Sequence, residues 1–175
     1  METVEMSPLI DEIARKLLDA LQRNARASYA ELGRLVGLSP SATAERLRRL
    51  EDAGIIRGYR ANLDPAGLGL GITALIRMTA DGVQYRQLMN FLGSCEPVRE
   101  CYHVTGGDAL MMKVMVQSIQ DLEGLITNLL HYGVPTTSIV LSTPIFRDVY
   151  QLRPRAAAEK ATKRKLRPPE PGGSG

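Results

Sequence analysis

A chain of 175 residues, 44% apolar and 23% charged, has room for one ordinary domain or two small ones with cores of their own, which excludes a wholly disordered protein. The net charge of +3 is unevenly spread: zero over residues 1–64 (ten basic, ten acidic), −2 over 65–150 (five and seven) and +5 over 151–175 (seven and two). The basicity therefore belongs to the end of the chain, and a pI near 9.0 is no argument by itself for nucleic acid. No apolar run approaches the roughly 20 residues that span a bilayer, and residues 1–8 are acidic rather than a lead-in to a signal core, so the chain is expected in the cytoplasm, away from membrane. Cys95 and Cys101 are too few and too close in sequence for a disulfide scaffold. Cys101 and His103 share a strand face, but no second ligand cluster accompanies them and no metal is expected.

In chain order, Ile10, Ile13, Leu17, Leu18 and Leu21 recur at helical spacing and predict a helix over 10–23. Ser28, with Glu31 in capping-box position, opens a second short helix whose inner face is Leu32, Leu35 and Val36. Gly37 ends it, since a residue without a side chain takes the left-handed conformation that turns the chain sharply. Ser39 caps a third helix and Pro40 takes its first position, where no amide donor is needed; the helix runs to Ala53 and Gly54. Residues 55–63 read as extended chain, closed by Asp64-Pro65 and a glycine-rich stretch to Gly71.

The remainder alternates: strand 72–79, helix 85–92, strands 98–105 and 109–116 about the turn Gly106-Gly107-Asp108, helix 119–130 and strand 138–146. That order, βαββαβ, predicts a ferredoxin-like sheet with both helices on one face. Leu110, Met112, Val114 and Val116 alternate with Ala109, Met111 and Met115, so both faces of the third strand read as buried and self-association through the uncovered face is expected. The methionines read as core rather than a ligand pocket. Residues 153–175, rich in proline and Lys/Arg and ending Gly-Gly-Ser-Gly, read as a disordered basic tail with a linker-like remnant. The division is thus 1–54, a linker 55–71, a second domain 72–152, and the tail; the fold class is α+β.

The third helix carries the chemistry. Ala44, Leu47 and Leu50 face inward and leave Ser41, Ala42, Glu45 and Arg49 outward, with Arg46 and Arg48 at the flanks. Such a helix fits a major groove about 12 Å wide. Short residues in its first turn, Ser39, Ser41, Ala42 and Thr43, admit the backbone closely and its free amides favour phosphate. Ser41, Ala42 and Glu45 are candidates for base edges, Glu45 accepting from a cytosine amino group; Arg46, Arg48 and Arg49 are candidates for phosphates or a guanine.

Segment 29–59, with Gly37-Leu38-Ser39-Pro40 at the turn and Leu50-Glu51-Asp52-Ala53-Gly54-Ile55-Ile56-Arg57-Gly58-Tyr59 at the exit, resembles the reading head of the Lrp/AsnC (leucine-responsive/asparagine-responsive, feast-famine) regulators. Cys101-Tyr102-His103-Val104-Thr105-Gly106-Gly107-Asp108, followed by Met111-Met112-Lys113-Val114, is similar to their amino-acid-sensing (RAM) domain, so residues 9 to about 150 are covered. The resemblance implies a winged-helix-like DNA-binding domain, pairing of the 55–63 strands of two chains, dimers assembling to tetramers or octamers, pseudo-palindromic sites on double-stranded DNA, and an amino-acid effector held between dimers. It assigns the effector to the turn and the facing last strand: Gly106, Gly107, Asp108, Thr136, Thr137 and Ser138. Two departures stand out. Members carry an acidic residue where this chain has Ala14, which is expected to remove only a surface contact, and Gly-Asp-Tyr-Asp where this chain has Gly106-Gly107-Asp108-Ala109, which displaces a carboxylate. The alternatives are an architectural DNA-binding protein using the basic tail, and a ferredoxin-like enzyme. For the second, His103 and His131 lack an evident nucleophile and orienting acid, and no catalytic set is expected.

Overall fold

A computed structural model describes residues 7–80, 82–106 and 110–152. The described residues up to Arg60, together with those from Arg147 onward, form one compact unit; Ala61–Phe146 form a second.

The first unit holds three helices, each started by a side chain that satisfies amides left open at a helix end. α1 (Glu12–Arg23) is capped by Asp11, whose carboxylate accepts from Ala14 N–H at 2.7 Å. α2 (Tyr29–Val36) has a reciprocal box: Ser28 Oγ accepts from Glu31 N–H at 3.2 Å and the Glu31 carboxylate accepts from Ser28 N–H at 2.7 Å. Gly37 ends it in the left-handed region, φ +73°. α3 (Pro40–Asp52) follows at once, with Ser39 Oγ accepting from Ala42 N–H at 3.2 Å. Ala14, Leu17, Leu18 and Leu21 of α1, Leu32 of α2, and Leu47 and Leu50 of α3 form one apolar cluster.

Two positions depart from the sequence reading. Leu35, expected inward, is 58% exposed, because Leu32 and Val36, one helical turn apart, take the face that meets the cluster and leave Leu35 to its side. Ala14, expected at the surface, is 2% exposed and belongs to the core.

The α2–α3 corner closes against Gly33. A Cβ there would stand 2.5 Å from the Leu38 carbonyl oxygen and 2.9 Å from Thr43 Oγ1, and the first of these is backbone that cannot yield. Gly33→Ala is therefore expected to destabilise the first unit by about 1–3 kcal/mol despite alanine's better helix propensity, read as a lowered urea midpoint at unchanged slope.

Beyond α3, Ile55 and Ile56 N–H both donate to Leu50 O and their side chains pack on the helical cluster. Residues 55–63, expected extended, form no strand within a single chain. A short 3-10 turn, Ala66–Leu68, leads into the second unit. Residues 147–152, assigned by sequence to the second domain, return to the helical unit: the Gln22 amide pairs with the Tyr150 backbone in both directions, at 3.2 and 2.7 Å, and Leu152 packs on the helical cluster.

The second unit runs β1 (Ile72–Met78), α4 (Gly82–Ser94), β2 (Val98–His103), β3 (Leu110–Val116), α5 (Ile119–Leu129) and β4 (Thr136–Ile139). The strands pair antiparallel in the order β2-β3-β1-β4, the ferredoxin-like arrangement. Ala74, Ile76 and Met78 of β1 and Leu110, Met112, Val114 and Val116 of β3 pack with Leu88 and Leu92 of α4 and Leu122, Leu125 and Leu129 of α5. On the other face Met111, Lys113 and Met115 are half-buried and Lys113 pairs with Glu100 at 3.6 Å. The second face of β3 is thus mixed rather than fully buried in one chain.

β4 starts two residues before the expected strand and ends at Ile139 rather than 146. The reason lies in its partner: Ala74 faces Ile139, β1 begins at Ile72, and after Val140 N–H donates to Thr73 O no ladder is left to join. Leu141, Ile145 and Phe146 are exposed. Ala109 and residues 153–175 lie outside the described residues.

Candidate nucleic-acid interface and effector region

α3 is anchored by its inner side. Leu47 and Leu50 are buried, and Thr43 is wholly buried with its hydroxyl donating to Ser39 O at 2.9 Å. Thr43, expected among the DNA-contacting residues, is corrected to an internal brace: its side chain holds the turn and is closed to any duplex. What remains outward is Ser39, Ser41, Arg48 and Arg49, exposed, with Ala42, Glu45 and Arg46 partly so. Ser39 Oγ and Ser41 Oγ lie 3.1 Å apart at the tip.

Glu45 sits between two guanidinium groups. Arg48 Nη2 donates to both its oxygens at 2.9 and 3.0 Å, and Arg49 Nε donates at 3.1 Å; Arg48 Nη1 also reaches Asp52 at 3.4 Å. These hydrogen bonds, from Arg48 first and Arg49 second, hold the Glu45 carboxyl below the usual range, and Glu45 in turn raises Arg48. All three side chains are well solvated, at 62%, 65% and 44% exposure for Arg48, Arg49 and Glu45, so the pairs are worth little to stability and dissolve readily against competing phosphates.

Arg46 is different. Its Nη1 meets Asp11 at 2.7 Å, tying α3 to the cap of α1. The Ala14 amide, then Arg46, hold the Asp11 carboxyl below its ordinary value of 3.8. A depressed folded-state pKa contributes stability that is complete above the unfolded value and lost as pH falls through the folded one. Asp11→Ala is thus expected to cost about 1 kcal/mol near pH 7, with the gap between variant and wild type shrinking below pH ~4 in a series of urea midpoints.

At the sheet, Met78 faces Leu110 and Arg77 faces Thr136, so the β2–β3 turn and the start of β4 lie at the same end, separated by β1. Gly106 has φ +117°, while Gly107 and Asp108 lie outside the described residues. Thr136 and Ser138 are exposed on the open face. Thr137 points to the helix side opposite Ile76, its Oγ1 buried with no hydrogen-bond partner among the described residues. His103 stacks on Tyr85 at 5.3 Å between ring centroids. Among the described residues no group of His, Cys, Asp and Glu is placed to hold a metal, and no helix is long and apolar enough to cross a membrane.

Residues 10–51 match the family model of the AsnC-type helix-turn-helix domain, and residues 73–150 that of the Lrp/AsnC ligand-binding domain. The chain belongs to the Lrp/AsnC family. Its relatives within that family include an uncharacterized HTH-type transcriptional regulator of Bacillus subtilis, YezC, 39% identical over 134 residues that span 77% of this chain and 95% of that protein. The regulatory protein AsnC of Escherichia coli is 34% identical over 146 residues, 81% of this chain and 96% of its own length. A transcriptional regulator of Neisseria meningitidis, solved as a complex with L-methionine, superposes with a TM-score of 0.75 at 30% identity, covering 82% of this chain and 97% of that one. Within the Lrp/AsnC frame, the residues that sequence reasoning missed are Gly33 and Asp11, which set the posture of α3. A lone glycine inside a helical pattern was the available signal for the first, and an Asp ahead of an amphipathic run for the second.

Proposed function

We propose that this protein is a sequence-specific transcriptional regulator that inserts α3 of two copies into successive major grooves of duplex DNA. The observation that carries the reading is the posture of α3: braced by Thr43, Leu47 and Leu50 on one side, it offers Ser41, Ala42, Glu45, Arg48 and Arg49 on the other. Ser39 and the open amides of the first turn supply phosphate contacts, and Arg46 is placed at the rim. Two such helices related by a two-fold axis favour pseudo-palindromic sites with half-sites about 34–36 Å apart. The same pairing gives residues 55–63 the neighbouring strand they lack in one chain, and the dimer is the unit from which a tetramer or octamer is built. Residues 1–54, 55–71, 72–146 and 153–175 are then read as reading head, linker, effector domain and basic tail, with 147–152 returning to the reading head, at work in the cytoplasm on the nucleoid.

An amino-acid effector is proposed at the turn end of the sheet: the Gly106-Gly107 pair is assigned its carboxylate and Asp108 its ammonium group, Thr136 and Ser138 stand on the open face of the approach, and Thr137 leaves the set because its side chain turns to the helix side. The methionine complex of the Neisseria regulator supports the ligand class. Thermal unfolding with each amino acid in turn is expected to find one that stabilises wild type and not Asp108→Ala; no response from any would remove the effector.

The basic tail favours a second reading, an architectural protein that binds without sequence preference. Fluorescence anisotropy with a genomic target and its scrambled counterpart separates the two. A regulator gives a ratio of about 10³ or more at physiological salt, and an architectural protein gives a ratio near 1.

A further inference from the structure

The second unit has a cavity of about 600 Å³ between the end of α4, the start of β2 and the flank of α5, a volume ordinary for a small-molecule site. It lies where β1 and β2 begin and β3 ends, the opposite end of the sheet from the Gly106 turn. Its floor is apolar: Val116 and Leu125 are 3% and 5% exposed, and Phe91 is held in place by stacking on Tyr132 at 5.5 Å.

Two backbone features keep this cavity open and charged. Val98 faces Val114 and Glu100 faces Lys113, so Arg99 is the extra residue of a β-bulge, a device that re-aims a side chain, and Arg99 lines the cavity. Gly124 lines it from the middle of α5, where glycine is less stable than alanine. No packing explains that glycine, since a Cβ built there meets nothing within 4 Å. Glu96 stands at the same mouth, and among the described residues neither it nor Arg99 is engaged in an ion pair. With the Asp121 carboxylate of the same lining already accepting from Ser118, the unpaired Arg99 and Glu96 beside an apolar floor match a molecule that carries both charges and an apolar body.

We propose that this cavity binds a zwitterionic α-amino acid with a bulky apolar side chain, Arg99 holding the carboxylate, Glu96 the ammonium group, and Phe91, Val116 and Leu125 the side chain. It is a site separate from the turn, and neither depends on the other.

The test is calorimetric titration of the full chain carrying Asp108→Ala, so that no heat belongs to the turn, with L-phenylalanine and L-leucine as probes. Saturable binding is expected, weakened at least tenfold by Arg99→Ala and abolished by Gly124→Leu, which fills the cavity while improving the helix and so keeps the melting temperature at or above its starting value. 3-Phenylpropanoate, lacking the ammonium group, and 2-phenylethylamine, lacking the carboxylate, are each expected to bind at least tenfold more weakly than phenylalanine. Absence of saturable binding by both probes, or an unchanged Kd in both Arg99→Ala and Gly124→Leu, overturns the proposal.

Discussion

Arg49→Ala is expected to raise the Kd for a target duplex about ten- to a hundredfold while leaving the oligomer mass and the urea midpoint where they were. The two halves of that expectation have separate causes. Arg49 is 65% exposed and among the described residues it pairs with the solvated Glu45 carboxylate, so the fold loses little with it. On DNA the same guanidinium is freed to meet a phosphate or the edge of a guanine, and a well-made contact of that kind is worth about 1–3 kcal/mol. Anisotropy titrations across a salt series check it. A curve superimposable on wild type at every salt concentration would remove this face of α3 from the reading role.

Deleting residues 154–175 is expected to weaken binding to target and scrambled duplexes by the same factor. The segment removes six Lys/Arg and two Glu. α3, by contrast, has three arginines against two glutamates and an aspartate, so the reading helix contributes groups for base edges but no net attraction. The slope of log K against log salt should become shallower by about 0.9 for each tail cation that sits on a phosphate, and the loss should be largest at low salt. A loss confined to the target duplex would show that the tail discriminates sequence.

What could be read from the residues was chiefly what is local. The Ser28–Glu31 box, the Gly37 turn and the Ser39-Pro40 start each complete themselves within four residues, and the structure has all three where spacing placed them. The inward side of α1, with Leu17, Leu18 and Leu21, was legible for the same reason, since a period of 3.6 states a burial pattern directly. Illegible were features decided by a distant partner. The apolar run 138–146 reads as one strand, yet β4 stops where β1 begins. Leu35 fits a helical stripe but lies to the side of the cluster, and Thr43 looks like any short polar residue until the Ser39 carbonyl is found beneath it. Arg99 became visible only once Val98 and Glu100 were known to face residues one apart on β3.

The central claim, that the outward side of α3 reads base edges, is tested most directly by selecting duplexes from a randomised pool with wild type and with Glu45→Gln. Glu45 stands among the outward residues of α3, and the change alters its hydrogen-bonding groups while keeping its shape. Both proteins are predicted to select two half-sites about one helical turn apart, with the preferred base altered at one position in each half-site and the others kept. Identical preferences at every position, or no enriched sequence with wild type, would contradict the account.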